Sequence, residues 1–254
     1  MKLRWLLSLG MMLGLTTPLF AQPQRAQLGA PVVPVGYLAV PIDATHAEAL
    51  AYVPQPGDIL LYDDFNKFFH FIFRLASTAP PTHTAMVIAR EDGSSALLEL
   101  TGPRVITAKV TVMDVEQRLA SYPGVIMVRR IRQPLTSQQS QELTQFARAQ
   151  AGKSFALGRV LLQATPLGPR TSLGRALFGH TYLNRDRWIC SEMVVSACAA
   201  AHVLDRHAHC ANAVYPHDLA FDKNLDLSQL YHPPVTWLHQ VSPTQTYRLP
   251  TFEP

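Results

Sequence analysis

The sequence predicts an α+β fold in which an antiparallel sheet packs against a cysteine-bearing helix. Three observations carry this expectation. Two short apolar runs, Thr82 to Ala89 and Ala96 to Thr101, flank the turn Glu91-Asp92-Gly93 and read as a hairpin. Helical, Ala-rich sequence begins at Cys190 and runs to Leu204. Strand and helix patterns are interspersed between them rather than alternating as repeated βα units.

The chain has 254 residues, 48% hydrophobic and 16% charged. Such a composition buries a core and excludes a disordered chain. A formal net charge of +4, with arginines scattered along the chain, gives no basic stripe suited to nucleic acid. There are no internal repeats.

Lys2 and Arg4, then the apolar stretch Trp5 to Leu15, then small and breaking residues to Ala21, read as a secretory signal over residues 1–21. That places the protein outside the cytoplasm, in the periplasm or cell envelope. Residues 22–55, rich in Pro, Ala and Gln, are expected to form an extended arm. The folded domain is expected to span residues 56–254.

Within it, Ile59 to Tyr62 reads as a buried strand. Phe65, Phe68, Phe69, Ile72 and Phe73 fall at helical spacing, so Phe65 to Ala76 forms an amphipathic helix. Packing on the sheet is one use of that face; contact with a membrane surface is the other. Val105 to Thr111 is expected as a strand, Asp114 to Ser121 as a helix, Val125 to Ile131 as a strand and Ser137 to Ala151 as a helix. Phe155 to Arg187, with Pro166, Gly168, Pro169, Gly174 and Gly179, reads as long and irregular. A turn or short helix opens at Tyr215-Pro216, and Val235 to Leu238 is the last strand.

Cys190 begins its helix, where unpaired N–H groups and the positive dipole end favour a thiolate. The same groups suit an oxyanion. The alternative is a small buried core residue. Cys198 lies too far along the helix, roughly 12 Å, to pair with Cys190. Cys198 and Cys210 are therefore expected to form a disulfide in an oxidising compartment, leaving Cys190 as the free thiol.

A thiolate hydrolase needs a base, and His83 is the candidate, the polar group on a strand face continued by Ala85 and Val87. A three-residue loop Glu91-Asp92-Gly93, with Gly93 left-handed, sets His83 opposite Thr101 and Glu99 one diagonal step away. Glu99 then orients the ring. A two-residue turn would put Glu99 on the other face. Otherwise Glu99 is a carboxylate paired with Arg90 or Arg104, and Thr101 or a backbone carbonyl is left as the orienting group.

Together, Pro56-Gly57-Asp58-Ile59-Leu60, His83-Thr84-Ala85-Met86-Val87-Ile88, Leu98-Glu99, Gly152-Lys153-Ser154-Phe155, Cys190-Ser191-Glu192 and Tyr215-Pro216-His217-Asp218-Leu219 resemble the permuted branch of the NlpC/P60 papain-like superfamily, the YiiX/YebB-like cysteine hydrolases. The resemblance runs from about residue 54 to about residue 222, in that branch's order: His strand, acidic strand, Cys helix. It implies a circularly permuted papain-like fold, with Cys190 as nucleophile, His83 as base, Glu99 as third polar residue and Asp58 as a structural turn residue. It implies no cofactor. The implied substrate is a peptidoglycan peptide, or the acyl bond of a lipid as in the branch's acyltransferases and lipases. Ser154-Phe155-Ala156 departs from the Tyr-Asp that this branch tends to carry after Gly-Lys.

A competing reading is a metal module: His202, His207, His209 and Cys210 lie close together in sequence and are of zinc- or copper-ligating type.

Overall fold

The structure, a computed structural model, describes residues 34–42, 46–163, 165, 168, 170–238 and 247–248. The expected signal segment 1–21 lies outside them.

The strands are β1 Gly36–Pro41, β2 His46–Tyr52, β3 Ile59–Asp63, β4 His83–Ala89, β5 Ser95–Thr101, β6 Lys109–Asp114, β7 Val125–Arg129, β8 Ser154–Phe155, β9 Arg187–Trp188, β10 Val235–Leu238 and β11 Tyr247–Arg248. The helices are α1 Lys67–Leu75, α2 Val115–Ser121, α3 Ser137–Gln150, α4 Leu157–Gln163, α5 Ser172–Phe178, α6 Cys190–Ala200 and α7 Pro216–Phe221. Among the described residues the strands form one sheet in the order β11-β2-β1-β10-β7-β3-β4-β5-β6-β8-β9. The α+β class is as expected. The sheet is mixed rather than antiparallel throughout, because β8 and β9 pair in parallel.

Alternation divides the central strands between two apolar layers. Ile59, Leu61, Met86, Ile88 and Leu98 face α3 and α6. Leu60, Tyr62, Ala85, Val87 and Leu97 face Val115, Leu119 and Tyr122 on and beside α2. Because both faces are covered, β3 and β4 read in sequence as unbroken apolar runs. Every residue of α6 from Cys190 to Ala199 is buried, the placement expected of a helix with no polar side. Local signals set the boundaries of the other helices. The Asp114 side chain caps α2 through Gln117 N at 2.8 Å, and Thr136 and Gln139 form a reciprocal capping box on α3.

Three expectations are corrected. Gly36–Pro41 and His46–Tyr52, assigned to an extended arm, are the paired strands β1 and β2, and β1 also pairs with β10. The inward side chains of β1 and β2 are few, Leu38, Ala39, Ala47 and Tyr52, so the alternation is faint among prolines and alanines. Val105–Thr107 is a 3-10 turn, and the strand follows it at Lys109–Asp114. The stretch read as irregular holds α4 and α5, separated at its Pro- and Gly-rich centre.

Asp58 has the structural role assigned to it. Its carboxylate accepts from Tyr52 Oη at 3.0 Å, Gln55 N at 3.1 Å and Ile131 N at 3.0 Å. It thereby ties β2, the turn before β3, and the segment after β7.

Candidate active site

The β4–β5 hairpin sets the geometry. Met86 pairs with Leu98 and Ala89 with Ser95, and Arg90 N donates to Ser94 O at 2.7 Å. Gly93 closes the three-residue loop at φ +82°, a conformation glycine adopts without penalty. In this register His83 is opposite Thr101 and shares a face with Glu99. His83 Nε2 lies 3.1 Å from Glu99 Oε1, so the partner of this nitrogen is Glu99 and not Thr101.

Glu99 is fully buried, and a buried carboxylate requires partners. Arg118 on α2 supplies them: Nη2 donates to Oε1 at 2.6 Å and Nε to Oε2 at 2.9 Å. Neither Arg90 nor Arg104, considered from sequence, fills this place. Arg118 was missed, although a signal existed. Val115, Arg118, Leu119 and Tyr122 form an i, i+3, i+4, i+7 stripe, and a cation inside a buried stripe calls for a buried anion opposite. The guanidinium lies over the rings of Tyr62 and Tyr122, at 5.4 and 4.9 Å from their centroids. Tyr62 in turn stacks on the His83 ring, centroids 5.5 Å apart and 29° between planes.

Alternation assigns His83 to the face covered by α2, whereas α6 lies on the other face. His83 and Cys190 nevertheless line one cavity: β4 and α6 both begin there, at the end of the sheet. Burial works against a charge on the His83 ring. Hydrogen bonding and attraction from the Cys190 sulfur and Glu99 outweigh it, and the pKa is raised from 6.5 to about 10. For Glu99, burial alone would raise the pKa, but His83 and Arg118 hold it below the usual carboxylate range.

Cys190 is buried in a small cluster with Ala156, Val160 and Ile189. No side chain caps the start of α6, which leaves the first-turn N–H groups available to an anion. The next two residues anchor the helix. Ser191 Oγ donates to Val214 O at 2.6 Å. The fully buried Glu192 accepts from Arg159 on α4, at 2.7 and 2.9 Å, and from Arg185. The chain between α3 and α6 is thus tied to the first turn of the cysteine helix.

The cavity is about 290 Å³. Its walls include Phe69 and Phe73 of α1, Leu100, Val105, Phe155, Val160 and Ile189, with Asp64, Thr82, His83, Glu99, Thr101, Arg118, Gln163, Cys190 and Ser191 as polar groups. Tyr215 and Pro216 at the start of α7 complete one side, and His217 fixes α7 to the segment before β4 through Nδ1 and Pro80 O at 2.7 Å.

One expectation is not met. Cys190, Cys198 and Cys210 are all free thiols. Cys198 points into the core, its sulfur 3.6 Å from Tyr231 Oη, and not toward the loop holding Cys210. Among the described residues no three His, Cys, Asp or Glu side chains gather in a metal-holding group.

No protein-family model matches the chain, and neither does any curated protein. Among solved structures, the chain is similar to the crystal structure of metalloprotein yiiX from Escherichia coli O157:H7. The identity is 20% over 80% of this chain and 100% of that one, with a TM-score of 0.41.

Proposed function

We propose that the chain is an exported cysteine hydrolase of permuted papain-like arrangement, acting on an amide or ester bond, with Cys190 as nucleophile and His83 as base. Residues 1–21 serve as the leader that directs it to the periplasm or cell envelope. The observation that carries this reading is that Cys190, at the start of α6, and His83, held by Glu99 at 3.1 Å, line one cavity.

With Nε2 turned to Glu99, Nδ1 is the nitrogen that takes the thiol proton. The thiolate attacks the substrate carbonyl carbon, and N–H groups at the start of α6 receive the oxyanion. Collapse forms a thioester and expels the amine or alcohol, which His83 protonates. Water, losing a proton to His83, then attacks the thioester and releases the acid and the thiol. Glu99 keeps the ring oriented throughout, and Arg118 keeps Glu99 in place.

The cavity walls favour one class of substrate within this reading. Aromatic and aliphatic side chains surround the dyad, which suits the acyl chain of a lipid better than a charged cell-wall stem peptide.

A thiol-reactive acyl probe followed by peptide mapping tests the proposal, together with turnover of cell-wall fragments and of phospholipid. An acyl adduct on Cys190, abolished by His83→Ala, is the expected result. Absence of an adduct on Cys190, or turnover that survives Cys190→Ala, would remove the reading. Release of peptide fragments without release of fatty acid would keep the mechanism and reverse the choice of substrate.

A further inference from the structure

The elements that wall the cavity also carry most of the exposed large apolar side chains among the described residues. Phe68, Phe71 and Leu75 project from α1 at 55, 60 and 55% exposure, and Phe65 stands just before it. Ile106, 70% exposed, follows the wall residue Val105 in the 3-10 turn. Leu161 and Leu162 follow the wall residue Val160 on α4. Each of these elements sends one set of side chains inward and a second set out to solvent. Scattered surface leucines need no explanation, but a group of large apolar side chains gathered on the elements of one cavity does.

The charge of these elements is one-sided. Residues 65–78, 102–112 and 157–163 contain Lys67, Arg74, Arg104, Lys109 and Arg159 and no Asp or Glu, in a chain with 18 acidic residues. Arg159 is engaged with Glu192; Lys67, Arg74, Arg104 and Lys109 are exposed. Of the carboxylates just before α1, Asp63 is buried and pairs with His70 at 2.7 Å, whereas Asp64 is exposed, accepts from Asn66 N at 3.0 Å and keeps its negative charge at the cavity mouth.

We propose that this face docks on a bilayer surface bearing anionic headgroups, with the α1 phenylalanines and Ile106 entering the interface and the lysines and arginines contacting the headgroups. Exposed aromatics beside four exposed cations, Lys67, Arg74, Arg104 and Lys109, against one exposed carboxylate, Asp64, are a combination that such a surface selects. Docking sets the cavity against the membrane, so that an acyl chain enters it without crossing water. That last step rests on the hydrolase reading; the docking itself does not.

The test is flotation of the full chain with vesicles of phosphatidylcholine alone and of phosphatidylcholine with phosphatidylglycerol. Phe68→Ser/Phe71→Ser and Lys67→Gln/Arg74→Gln are compared with the parent, so any contribution from the N-terminal apolar stretch is common to all. Neither Phe68 nor Phe71 is among the cavity walls. The paired phenylalanine change is expected to weaken binding about tenfold or more, and the paired charge change to abolish the preference for anionic vesicles. Hydrolysis of a small water-soluble ester without vesicles should be the same in the phenylalanine variant and the parent. Parent and phenylalanine variant binding equally, or neither binding, would overturn the proposal. So would a parent that sediments as a dimer and a phenylalanine variant that sediments as a monomer, with no vesicle binding, since the face would then belong to a second copy. Vesicle binding with no ester turnover would leave docking intact and remove the hydrolase.

Discussion

Arg118 holds Glu99 through both carboxylate oxygens, Nη2 to Oε1 at 2.6 Å and Nε to Oε2 at 2.9 Å, and the carboxylate is fully buried. A paired guanidinium and carboxylate of this kind is rigid, and one of its oxygens also faces His83. Removing the cation leaves a buried anion with one partner. Arg118→Met is expected to lower unfolding stability by about 3 kcal/mol, read from denaturant titration.

The same chain of contacts orders the kinetic effects. His83→Ala is expected to cut turnover about a thousandfold or more, since the proton acceptor is gone. Glu99→Gln and Arg118→Met disturb ring orientation, and each should cost about a hundredfold in kcat with KM little changed. Turnover by Glu99→Gln as low as by His83→Ala would show that Glu99 does more than orient.

Ionisation gives a separate handle. The folded pKa of His83, about 10, lies above its ordinary 6.5. A raised pKa contributes stability that is complete below about pH 6.5 and is lost as pH rises toward 10. Glu99 behaves oppositely: its lowered pKa contributes stability above the usual carboxylate range, lost as pH falls through the folded value. Turnover should persist through neutral pH and fall on an alkaline limb near pH 10 as His83 loses the proton that the leaving group needs. Glu99→Gln should move that limb to lower pH. A pH–rate profile of parent and variant reads both, and an unmoved limb would detach Glu99 from His83.

Thiol reactivity distinguishes the three cysteines. Burial pushes the Cys198 thiol up to about 11, and it lies in the core beside Tyr231. Limited iodoacetamide treatment of the folded protein should therefore label Cys190, at the cavity, before Cys198. His83→Ala should slow that labelling by removing the base beside the Cys190 sulfur. Labelling of Cys198 first, or labelling of Cys190 indifferent to His83, would contradict the pairing.

Asp58 separates stability from chemistry. Asp58→Ala strands the Tyr52 hydroxyl and two backbone N–H groups, each a desolvated donor costing about 1–3 kcal/mol. Unfolding should become easier by several kcal/mol, while turnover per folded molecule holds, as Asp58 does not line the cavity.

What could be read from sequence was local. Gly93 and the apolar runs on either side define the hairpin, and a side-chain period of two then carries His83 and Glu99 to one face. Asp114 and the Thr136/Gln139 box likewise mark helix starts by chemistry within a turn. What escaped reading depends on distant partners. Arg118 is an ordinary helix arginine until α2 is laid on β5. Residues 36–52 have too few apolar side chains to declare themselves without β10. Prolines and glycines near residue 168 masked two short helices on either side. The expected pairing of Cys198 with Cys210 used helix rise and an oxidising compartment, and neither says which way a side chain points.

The placement of β10 between β1 and β7 has a temporal consequence. Tyr37 finds its partner at Leu238, about two hundred residues later, and closing so long a loop is entropically slow. In folding, the edge of the first hairpin can therefore be covered by β10 only after this long loop closes. The strands that carry His83 and Glu99, β4 and β5, instead pair across a short loop, so the register that sets the candidate site costs far less chain entropy than the pairing of β1 with β10.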